Sequence, residues 1–561
     1  MIKNYSIKVV GPAGYGIMET GRILGRALVS LGFKVLVYPE YPSRIRGGDN
    51  VSIVSFSSSF ALPEDKNDLI IVLGKENFSL HRQELKSKGF FILDEKNEEE
   101  RKNNVLALPL TKIALDSTGW EITRNMVSLG VAFGLLGFPL DVLKKQIETN
   151  LKDKGRVFVD KNLIAVKEGS QLAQSLGLKK IISLPKKEEK NRLLLSGNDA
   201  LVLGAIEAKC SHVAIYPMTP INSILTDLSK KQKETKMVIF QPEDEIAGIN
   251  WAIGASFAGK RSLVATSGGG FSLMVEGFAL AGATETPLVV IEGMRAGPST
   301  GMATWTSQED LSFLIQAGNG EFPRIILTPG DPEEAYRLIF LAFNLADIYQ
   351  MPVVVVSDKY LSESAFSVSG FNKKKLGLKI DRGRLLKQRQ KRKYQRYQLE
   401  ADGISPRAFP GQVAFLTNSY VHDEAGFTIE DGAKRLEMKQ KIFKKITSLG
   451  DKPGTMLYGN KEAKLTLVGW GSTKQALFVA RQNLEDQGFL VNHLHFFRPW
   501  PFPNEAKEIL TEAKEVVVVE NNSEGQLAGL ISKETGITIG KKILKDDGRP
   551  FFVGEIEKQI L

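Results

Sequence analysis

Six short apolar runs between Leu193 and Ser364 constrain the fold more than any other feature of this sequence. They read HVAIYP, MVIFQP, SLVATS, PLVVIEG, RIILTP and MPVVVVSD, and helical or glycine-rich segments separate them. Strands that are apolar along their whole length are typical of parallel sheets, because helices cover both faces of such a sheet. The sequence therefore predicts an α/β fold with a doubly wound parallel sheet in this segment.

The same alternation of strands and helices occurs at both ends of the chain. YSIKVVGPAGYGIMETGRILGRALVSLGFKVLVYPEY indicates a strand, a glycine turn, an amphipathic helix and a second strand, which predicts a parallel sheet. From Lys464 onward, KLTLVGWGS, FLVNHLHFF and EVVVVENN are strands separated by helical segments. We predict four segments, residues 1–185, 193–364, 365–455 and 456–561, with the charged stretch from Pro185 to Arg192 as the first linker.

Composition excludes several classes of protein. The longest apolar stretches are too short to cross a bilayer, and the N-terminal residues lack the pattern of a signal peptide, so we expect a cytoplasmic location. The chain has one cysteine, Cys210. This excludes an intrachain disulfide, a four-thiolate zinc site and an iron-sulfur cluster held by this chain alone. Redox metal chemistry would therefore require a partner.

The formal net charge of +10 is confined to one stretch and does not indicate nucleic-acid binding. Between Lys373 and Arg396 there are twelve Lys or Arg residues and one acid, Asp381, so this stretch accounts for the whole imbalance. We interpret it as a solvated linker, because runs of like charge are commonly exposed. The alternative is a docking site for an acidic protein.

Three polar elements follow strands of the central segment, where parallel sheets bind their ligands. The first is YPMTP, in which Pro217 and Pro220 bracket Thr219. The second is the acidic stretch Glu243 to Glu245 before a helix rich in small residues, and the third is RAGPSTG, beginning at Arg295. Each has a structural alternative: a proline-stiffened turn, first-turn partners of a helix dipole, and a surface loop.

Taken together, these motifs resemble the 2-oxoacid:ferredoxin oxidoreductases, a thiamine diphosphate family. Residues 193–364 resemble their pyrimidine-binding domain through YPMTP, EDEIAGINWAIGASFAG, TSGGGFSLMVEG, ETPLVV and RAGPSTG. NSYVHDEAGFTIED resembles their connector, and LVGWGS with VVVVENNSEGQLAGL resembles their transketolase-like C-terminal domain. GPAGYGIMETGRIL and YPSRIRGGDN resemble the gamma module of the family, fused here ahead of alpha.

The resemblance implies a role for each candidate residue. Glu245 would bind the pyrimidine ring of the cofactor as the catalytic carboxyl, with Glu243 as the fallback. Thr219 and Arg295 would hold the substrate and are the other catalytic candidates. The remaining candidates are Tyr216, Pro217, Ser267 and Gly268 for the cofactor, Ser299 and Thr300 for the substrate, and Arg44, Arg46, Gly47 and Gly48 for coenzyme A.

The resemblance also implies partners. A beta subunit would carry the diphosphate site with its Mg²⁺ and an iron-sulfur cluster, ferredoxin would accept electrons, and coenzyme A would accept the acyl group. The assembly would be a heterodimer or a dimer of heterodimers, and no metal site is expected in this chain. The substrate would be 2-oxoglutarate or pyruvate.

Three positions depart from the family pattern. Met218 and Ile221 stand where Tyr-Pro-Ile-Thr-Pro-Ser has isoleucine and serine, and SGGG stands where Ser-Gly-Pro-Gly is common. Two alternatives therefore stay open: an arylpyruvate or other thiamine-dependent enzyme subunit, and a structural subunit that has kept the fold without the chemistry.

In VENNSEGQLAGL, we expect Glu520, Asn521 and Gln526 to support the architecture rather than the chemistry.

Overall fold

The computed structural model describes residues 4–42, 48–74, 78–94, 104–177, 192–386, 394–460 and 462–561. Its strands are β1 (Tyr5–Pro12), β2 (Lys34–Glu40), β3 (Asp49–Ser57), β4 (Asn67–Val72), β5 (Leu85–Asp94), β6 (Val105–Leu108), β7 (Leu193–Ser196), β8 (His212–Ile215), β9 (Val238–Phe240), β10 (Ser262–Thr266), β11 (Leu288–Met294), β12 (Ile325–Leu327), β13 (Pro352–Asp358), β14 (Ala365–Val368), β15 (Thr455–Tyr458), β16 (Leu465–Trp470), β17 (Val491–Phe496), β18 (Glu515–Glu520) and β19 (Lys541–Leu544). Its α-helices are α1 (Ile17–Ser30), α2 (Phe78–His81), α3 (Leu110–Thr118), α4 (Arg124–Leu136), α5 (Leu140–Leu151), α6 (Arg156–Ser175), α7 (Gly197–Glu207), α8 (Asn222–Thr235), α9 (Glu245–Phe257), α10 (Gly268–Ala283), α11 (Leu311–Gln316), α12 (Pro332–Tyr349), α13 (Lys359–Glu363), α14 (Gly432–Gly450), α15 (Thr473–Asp486), α16 (Asn504–Glu512), α17 (Gln526–Thr535) and α18 (Val553–Ile560). Short 3₁₀ helices span Arg82–Glu84, Glu121–Thr123 and Lys152–Lys154.

The chain folds into two compact units. Unit 1 comprises Met1–Ser196 and Glu363–Gly370, and unit 2 comprises Gly197–Ser362 and Phe371–Leu561. Among the described helices, none combines the length and the apolar character needed to cross a lipid bilayer.

Unit 1 is built on an eight-stranded mixed sheet in the order β6-β5-β4-β1-β3-β2-β14-β7. The neighbours from β6 to β1 are parallel, whereas β3 lies between β1 and β2 and is antiparallel to both. The opening sequence predicts a parallel sheet, and this prediction is therefore wrong for the part of the sheet formed by β1, β3 and β2. The reason lies in the connection between Glu40 and Asp49, which is too short for a parallel crossover of a dozen or more residues.

Two short strands from elsewhere in the chain complete the edge of this sheet. Ala365–Val368 pairs antiparallel with β2 on one side and with Leu193–Ser196 on the other. The Ser367 hydroxyl accepts a hydrogen bond from the Val35 amide at 2.9 Å, which fixes the added strand against β2. Both segments thus belong to the sheet of unit 1.

Unit 2 contains a six-stranded parallel sheet in the order β12-β13-β11-β10-β8-β9. All six strands predicted from the apolar runs are present. Alternate residues enter two different cores: Leu263 packs in one and Val264 in the other, and Val289 and Val290 divide in the same way. Burial on both faces explains why these strands are continuously apolar.

The C-terminal part of unit 2 holds a second sheet, in the order β15-β17-β16-β18-β19. Its strands are parallel except for β15, which is antiparallel to β17. The strands and helices predicted after Lys464 are present. Trp470 and Val518 share a core with residues of the six-stranded sheet, so this core is common to both sheets.

Three arginines of the basic stretch are held by unit 2, whereas Lys374, Lys375 and Lys379 are exposed. Arg382 forms an ion pair with Asp347 at 2.7 Å, and Arg384 forms one with Asp402 at 2.6 Å. Arg396 is buried. These arginines therefore stabilise the fold, whereas the exposed lysines agree with the solvated linker predicted from charge. Residues 387–393 lie outside the described residues.

Candidate active site

The turn after β8 is held from two sides. The Arg295 Nη1 donates a hydrogen bond to the Thr219 carbonyl at 3.2 Å, and the Asn198 Nδ2 donates to the Pro220 carbonyl at 2.8 Å. The Thr219–Pro220 peptide bond is cis. Thr219 is half-buried, whereas Tyr216 is exposed. The turn thus places Thr219 beside Arg295 at the carboxyl edge of the parallel sheet.

The departure at Ile221 has a structural explanation. Its side chain is fully buried in the core of unit 2. A Cβ atom added to Gly293 of β11 would lie 2.7 Å from the Ile221 Cγ2, so the turn packs directly on that strand. Ile221 therefore serves the core, while Met218 and Pro217 stand at the more accessible part of the turn.

Glu245 is buried at the beginning of α9. Asp244 provides the N-cap, because its carboxylate accepts a hydrogen bond from the Ala247 amide at 2.8 Å. Glu245 itself is only 3 % exposed, and its Oε1 atom has no hydrogen-bond partner among the described residues. Glu243 is exposed. Helix capping therefore accounts for Asp244 but leaves the burial of Glu245 unexplained.

The Glu245 carboxyl lies against the first turn of α10. A Cβ atom added to Gly270 would lie 2.4 Å from the Glu245 Oε1 and 2.1 Å from the Thr266 Oγ1, so only glycine leaves room for these two oxygens. Ser267, between β10 and α10, is fully buried, and its hydroxyl oxygen has no partner among the described residues. Two buried oxygens without partners therefore lie at the same edge of the sheet.

Two acids that influence Arg295 electrostatically were missed by the sequence interpretation. Glu292 is fully buried in β11, and the pKa of its carboxyl is raised well above the ordinary value, first by burial and then by the neighbouring Asp310. Burial, followed by repulsion from Glu309, raises the pKa of Asp310 to about 6. Burial lowers the pKa of Arg295, and both acids oppose that shift. A glutamate inside the apolar run PLVVIEG was the available signal.

The glycine-rich loop after Arg295 contacts Glu309 and the first turn of α10. The Gly297 amide donates a hydrogen bond to the Glu309 carboxylate at 2.8 Å. Ser299 is exposed, and its carbonyl lies 3.6 Å from the position of a Cβ on Gly269 in the first turn of α10. Thr300 is exposed beside it. The loop thus lies over the same helix end that contacts Glu245.

Gly268, the first residue of α10, lies against Asp310, which directly precedes α11. A Cβ atom on Gly268 would lie 2.5 Å from the Asp310 Oδ2. The site residues Thr219, Glu245, Gly268 and Arg295 therefore lie at one edge of the sheet, beyond the carboxyl ends of β8, β9, β10 and β11.

Comparison with known proteins identifies the family. Residues 203–441 match the family model described as "Pyruvate flavodoxin/ferredoxin oxidoreductase, thiamine diP-bdg", and residues 6–172 match "Pyruvate ferredoxin/flavodoxin oxidoreductase". The alpha subunit of 2-oxoacid:ferredoxin oxidoreductase 2 from Aeropyrum pernix is 31 % identical over 622 residues, covering 98 % of this chain and 96 % of that protein. This chain belongs to the 2-oxoacid:ferredoxin oxidoreductase family. The predicted family, α/β fold class and enzyme class, a thiamine diphosphate-dependent oxidoreductase, are confirmed.

Two further relatives of this oxidoreductase subunit are informative. The 2-oxoglutarate synthase subunit KorA from Methanocaldococcus jannaschii is 31 % identical over 330 residues, covering 58 % of this chain and 88 % of that protein. A solved structure of 2-oxoglutarate:ferredoxin oxidoreductase from Magnetococcus marinus, with 2-oxoglutarate, coenzyme A and succinyl-CoA bound, matches with a TM-score of 0.92 at 29 % identity. That match covers 100 % of this chain and 99 % of that chain.

The residues of the oxidoreductase subunit fit a thiamine diphosphate pyrimidine ring at this edge. Burying a carboxyl oxygen without a partner costs about 1–3 kcal/mol or more, so an unpartnered Glu245 Oε1 indicates that a ligand supplies the missing bond. The Ser267 hydroxyl offers a second bonding group nearby.

The coenzyme A candidates of the oxidoreductase subunit lie in unit 1. Arg44, Arg46 and Gly47 are outside the described residues. Gly48 directly precedes β3 and has a positive φ of 123°, a conformation that favours glycine. Their function as a coenzyme A contact stays a prediction.

The C-terminal sheet supports the loop that carries Glu309 and Asp310. The Gln308 Oε1 accepts a hydrogen bond from the Asn521 amide at 2.9 Å, and the Gln526 Nε2 donates to the Glu309 carbonyl at 2.5 Å. Glu520 accepts hydrogen bonds from the first amides of α17. The architectural role predicted for VENNSEGQLAGL is therefore confirmed.

Proposed function

We propose that this chain, paired with a second subunit, catalyses the oxidative decarboxylation of 2-oxoglutarate to an acyl-coenzyme A and carbon dioxide, and passes the electrons to ferredoxin. The observation that carries the proposal is the buried Glu245 carboxyl, whose Oε1 atom has no hydrogen-bond partner among the described residues, at the same sheet edge as Arg295. The choice of 2-oxoglutarate is supported by two relatives: the KorA relative is a 2-oxoglutarate synthase subunit, and the Magnetococcus marinus structure holds 2-oxoglutarate. Pyruvate is the second candidate substrate.

Glu245 is proposed to bind the pyrimidine ring of thiamine diphosphate. The cofactor, when bound, supplies a nucleophilic carbon and an electron sink for the decarboxylation. A buried carboxyl forms a strong, oriented hydrogen bond with a ring nitrogen, because little water competes for it. Glu245 would hold the proton at that nitrogen, and Gly270 would leave the carboxyl in place.

We assign substrate or cofactor contacts to the other candidate residues from their positions at the same sheet edge. Arg295 has a buried Nε for which the described part of the chain offers no hydrogen-bond partner, so we propose that it holds the substrate carboxylate. Thr219 stands beside it and would bind the substrate oxygens. The proposed lining is Tyr216, Pro217, Ser267 and Gly268 for the cofactor and Ser299 and Thr300 for the substrate.

The proposed partner supplies what this chain lacks. Since the sequence contains one cysteine, an iron-sulfur cluster for transfer to ferredoxin would be held by a beta subunit, together with the diphosphate and Mg²⁺. Coenzyme A would meet Arg44, Arg46, Gly47 and Gly48. We propose a cytoplasmic complex in which residues 1–185, 193–364, 365–455 and 456–561 act as the gamma-like, pyrimidine-binding, connector and C-terminal domains.

The test is viologen reduction by the purified complex of this chain with a cysteine-rich beta subunit. We expect reduction with 2-oxoglutarate, thiamine diphosphate and coenzyme A, and much slower reduction with pyruvate. Glu245→Gln should abolish turnover, whereas the exposed matched control Glu243→Gln should retain it. Arg295→Ala should raise the KM for the oxoacid steeply. A cluster-loaded complex that reduces nothing would favour a structural subunit, and normal turnover by Glu245→Gln would reject the assigned role.

A further inference from the structure

We propose that Glu309 is a positioning residue for substrate binding and that Gln526, at the start of α17, holds it in place. Glu309 binds the segment that follows Arg295, residues 296–301, which we call the substrate loop. The inference rests on the proposed function, because that function takes Arg295 and two hydroxyl groups of the loop as the groups that bind the oxoacid. It goes beyond that function by giving the C-terminal part of the chain a role in substrate binding.

The substrate loop folds back on itself. The Met302 amide donates a hydrogen bond to the Ala296 carbonyl at 2.9 Å, and a Cβ atom on Gly301 would lie 1.9 Å from the same carbonyl oxygen. Ser299 has a positive φ of 58°, which is uncommon for a residue with a side chain. Such a conformation persists where the surrounding structure determines it. The loop therefore needs contacts from outside to keep Ser299 in place.

Glu309 provides one such contact. Its carboxylate accepts a hydrogen bond from the Gly297 amide at 2.8 Å. A Cβ atom on Gly297 would lie 3.0 Å from the same oxygen, so the backbone of the loop lies directly against the carboxylate. A hydrogen bond to a carboxylate is stronger than one between neutral groups. Glu309 therefore fixes the loop at a position midway in sequence between Arg295 and Ser299.

Gln526 holds the backbone on both sides of Asp310. Its Nε2 atom donates to the Glu309 carbonyl at 2.5 Å, and its Oε1 atom accepts from the Ser312 amide at 2.9 Å. A single amide side chain thus satisfies one backbone acceptor and one backbone donor of the same segment. Because the two bonds flank Asp310 and Leu311, they fix the main chain that carries the Glu309 side chain.

The residue before Glu309 is held by the turn after β18. The Gln308 amide donates to the Asn521 carbonyl at 2.7 Å, the Asn521 amide donates to the Gln308 Oε1 at 2.9 Å, and the Asn522 Nδ2 donates to the Gln308 carbonyl at 3.0 Å. All three side chains are buried. Glu309 therefore extends from a main chain that the β18 turn and α17 hold in place, and these elements determine where the substrate loop lies.

Loss of the bond between Glu309 and Gly297 should weaken oxoacid binding and leave cofactor activation unchanged. Without this bond the loop can move, and the substrate-binding groups on both sides of Gly297 no longer converge on one position. Glu245 begins α9 and takes no part in these contacts, so its action on the cofactor should continue. A role in stability alone predicts easier unfolding with an unchanged KM, so the KM distinguishes the two roles.

The first measurement is amide hydrogen exchange of the full chain, read residue by residue by fragmentation mass spectrometry. It requires neither cofactor nor turnover. In Glu309→Ala, we expect the Gly297 amide to exchange about tenfold faster than in the wild type, because a hydrogen bond to a charged group contributes about that much. Glu309→Gln keeps an acceptor oxygen for that amide and should restore most of the protection. An unchanged Gly297 rate in Glu309→Ala would overturn the contact.

The second measurement is viologen reduction by the complex with the beta subunit. Glu309→Ala should raise the KM for 2-oxoglutarate by about tenfold, with kcat within about threefold of the wild type. Glu309→Gln should restore most of the wild-type KM, and exchange of the C2 proton of bound thiamine diphosphate should be equal in all three proteins. A wild-type KM in a Glu309→Ala protein whose Gly297 amide exchanges faster would overturn the positioning role.

Gln526→Glu tests the outer contact. The new carboxylate can still accept from the Ser312 amide but has no donor for the Glu309 carbonyl, so the KM and the exchange rate of the loop should each rise about threefold. The matched control is Gln487→Glu on the C-terminal side of α15, which removes the bond from the Gln487 Nε2 to the Asn483 carbonyl at 3.0 Å and should change neither quantity. If Gln526→Glu behaves like this control, the role of Gln526 is wrong. Gln526→Glu also decides the proposal if Glu309→Ala does not assemble with its partner.

Failure of the proposed function would give a different result. A wild-type complex that holds thiamine diphosphate but reduces viologen with none of the oxoacids would contradict that function and, with it, any positioning of a substrate. Failure of this inference alone would leave wild-type turnover intact, with the same KM in Glu309→Ala as in the wild type.

Discussion

Replacing Gly270 by alanine should slow catalysis by about 100-fold in a protein that still folds. The new Cβ would lie 2.1 Å from the Thr266 Oγ1 and 2.4 Å from the Glu245 Oε1, where an ordinary contact begins at 3.4 Å. Each oxygen must therefore move by about 1 Å. A displacement of that size at a catalytic group costs about 100-fold in rate, so we expect kcat to fall by about that factor.

The effect of Gly270→Ala on stability should be small by comparison. Overpacking a buried position costs about 1–3 kcal/mol. Alanine in place of a helical glycine returns about 1 kcal/mol, since glycine is a poor helix former. The variant should therefore fold and associate with its partner, with a modest loss in the free energy of unfolding.

The assay compares Gly270→Ala with Gly254→Ala in the same complex. Gly254 is an exposed helical glycine of α9, and nothing lies within 4 Å of a Cβ added there, so this control should keep wild-type turnover. The measurements are viologen reduction, thiamine diphosphate affinity and thermal unfolding. If Gly270→Ala turns over at the wild-type rate and binds the cofactor as tightly, the place assigned to Glu245 is wrong.

Two further predictions concern the fold of unit 2. Glu285 is buried and pairs with Lys441 at 2.5 Å and with Lys445, so Glu285→Gln leaves two buried cations short of a counter-charge and should lower the free energy of unfolding by about 3–5 kcal/mol; a loss below about 1 kcal/mol in denaturant titration would contradict this. Cys210 is buried and its pKa is raised to about 12, so a thiol reagent at pH 8 should label it only after unfolding, and rapid labelling of the native chain would refute its burial.

The strands of unit 2 could be predicted from sequence because their signal is local. Each of the six apolar runs is long enough to be recognised as a strand. Because both faces of the sheet are buried, the runs are apolar throughout and contain no alternation of polar and apolar residues. Thr219, Glu245 and Arg295 could be proposed together because the carboxyl ends of parallel strands meet at one edge.

The remaining features depend on pairs that are distant in sequence. Nothing in LLLS predicts that Leu193–Ser196 pairs with Ala365–Val368, because short edge strands carry little register information of their own. Asp310, which helps to raise the pKa of Glu292, lies on a different element, and a single acid in an apolar run does not indicate which distant residue will influence it. The sequence predicts a solvated basic stretch for the same reason, because the acids that pair with Arg382 and Arg384 lie elsewhere in the chain.

The most direct test of the central claim is the rate at which the bound cofactor exchanges its thiazolium C2 proton for deuterium. The measurement uses the complex of this chain with its beta subunit, loaded with thiamine diphosphate and quenched for proton NMR. We predict fast exchange in the wild type and in Glu243→Gln, and exchange slowed by orders of magnitude in Glu245→Gln at equal occupancy. Equal rates in Glu245→Gln and the wild type would contradict the claim that this chain supplies the activating carboxyl.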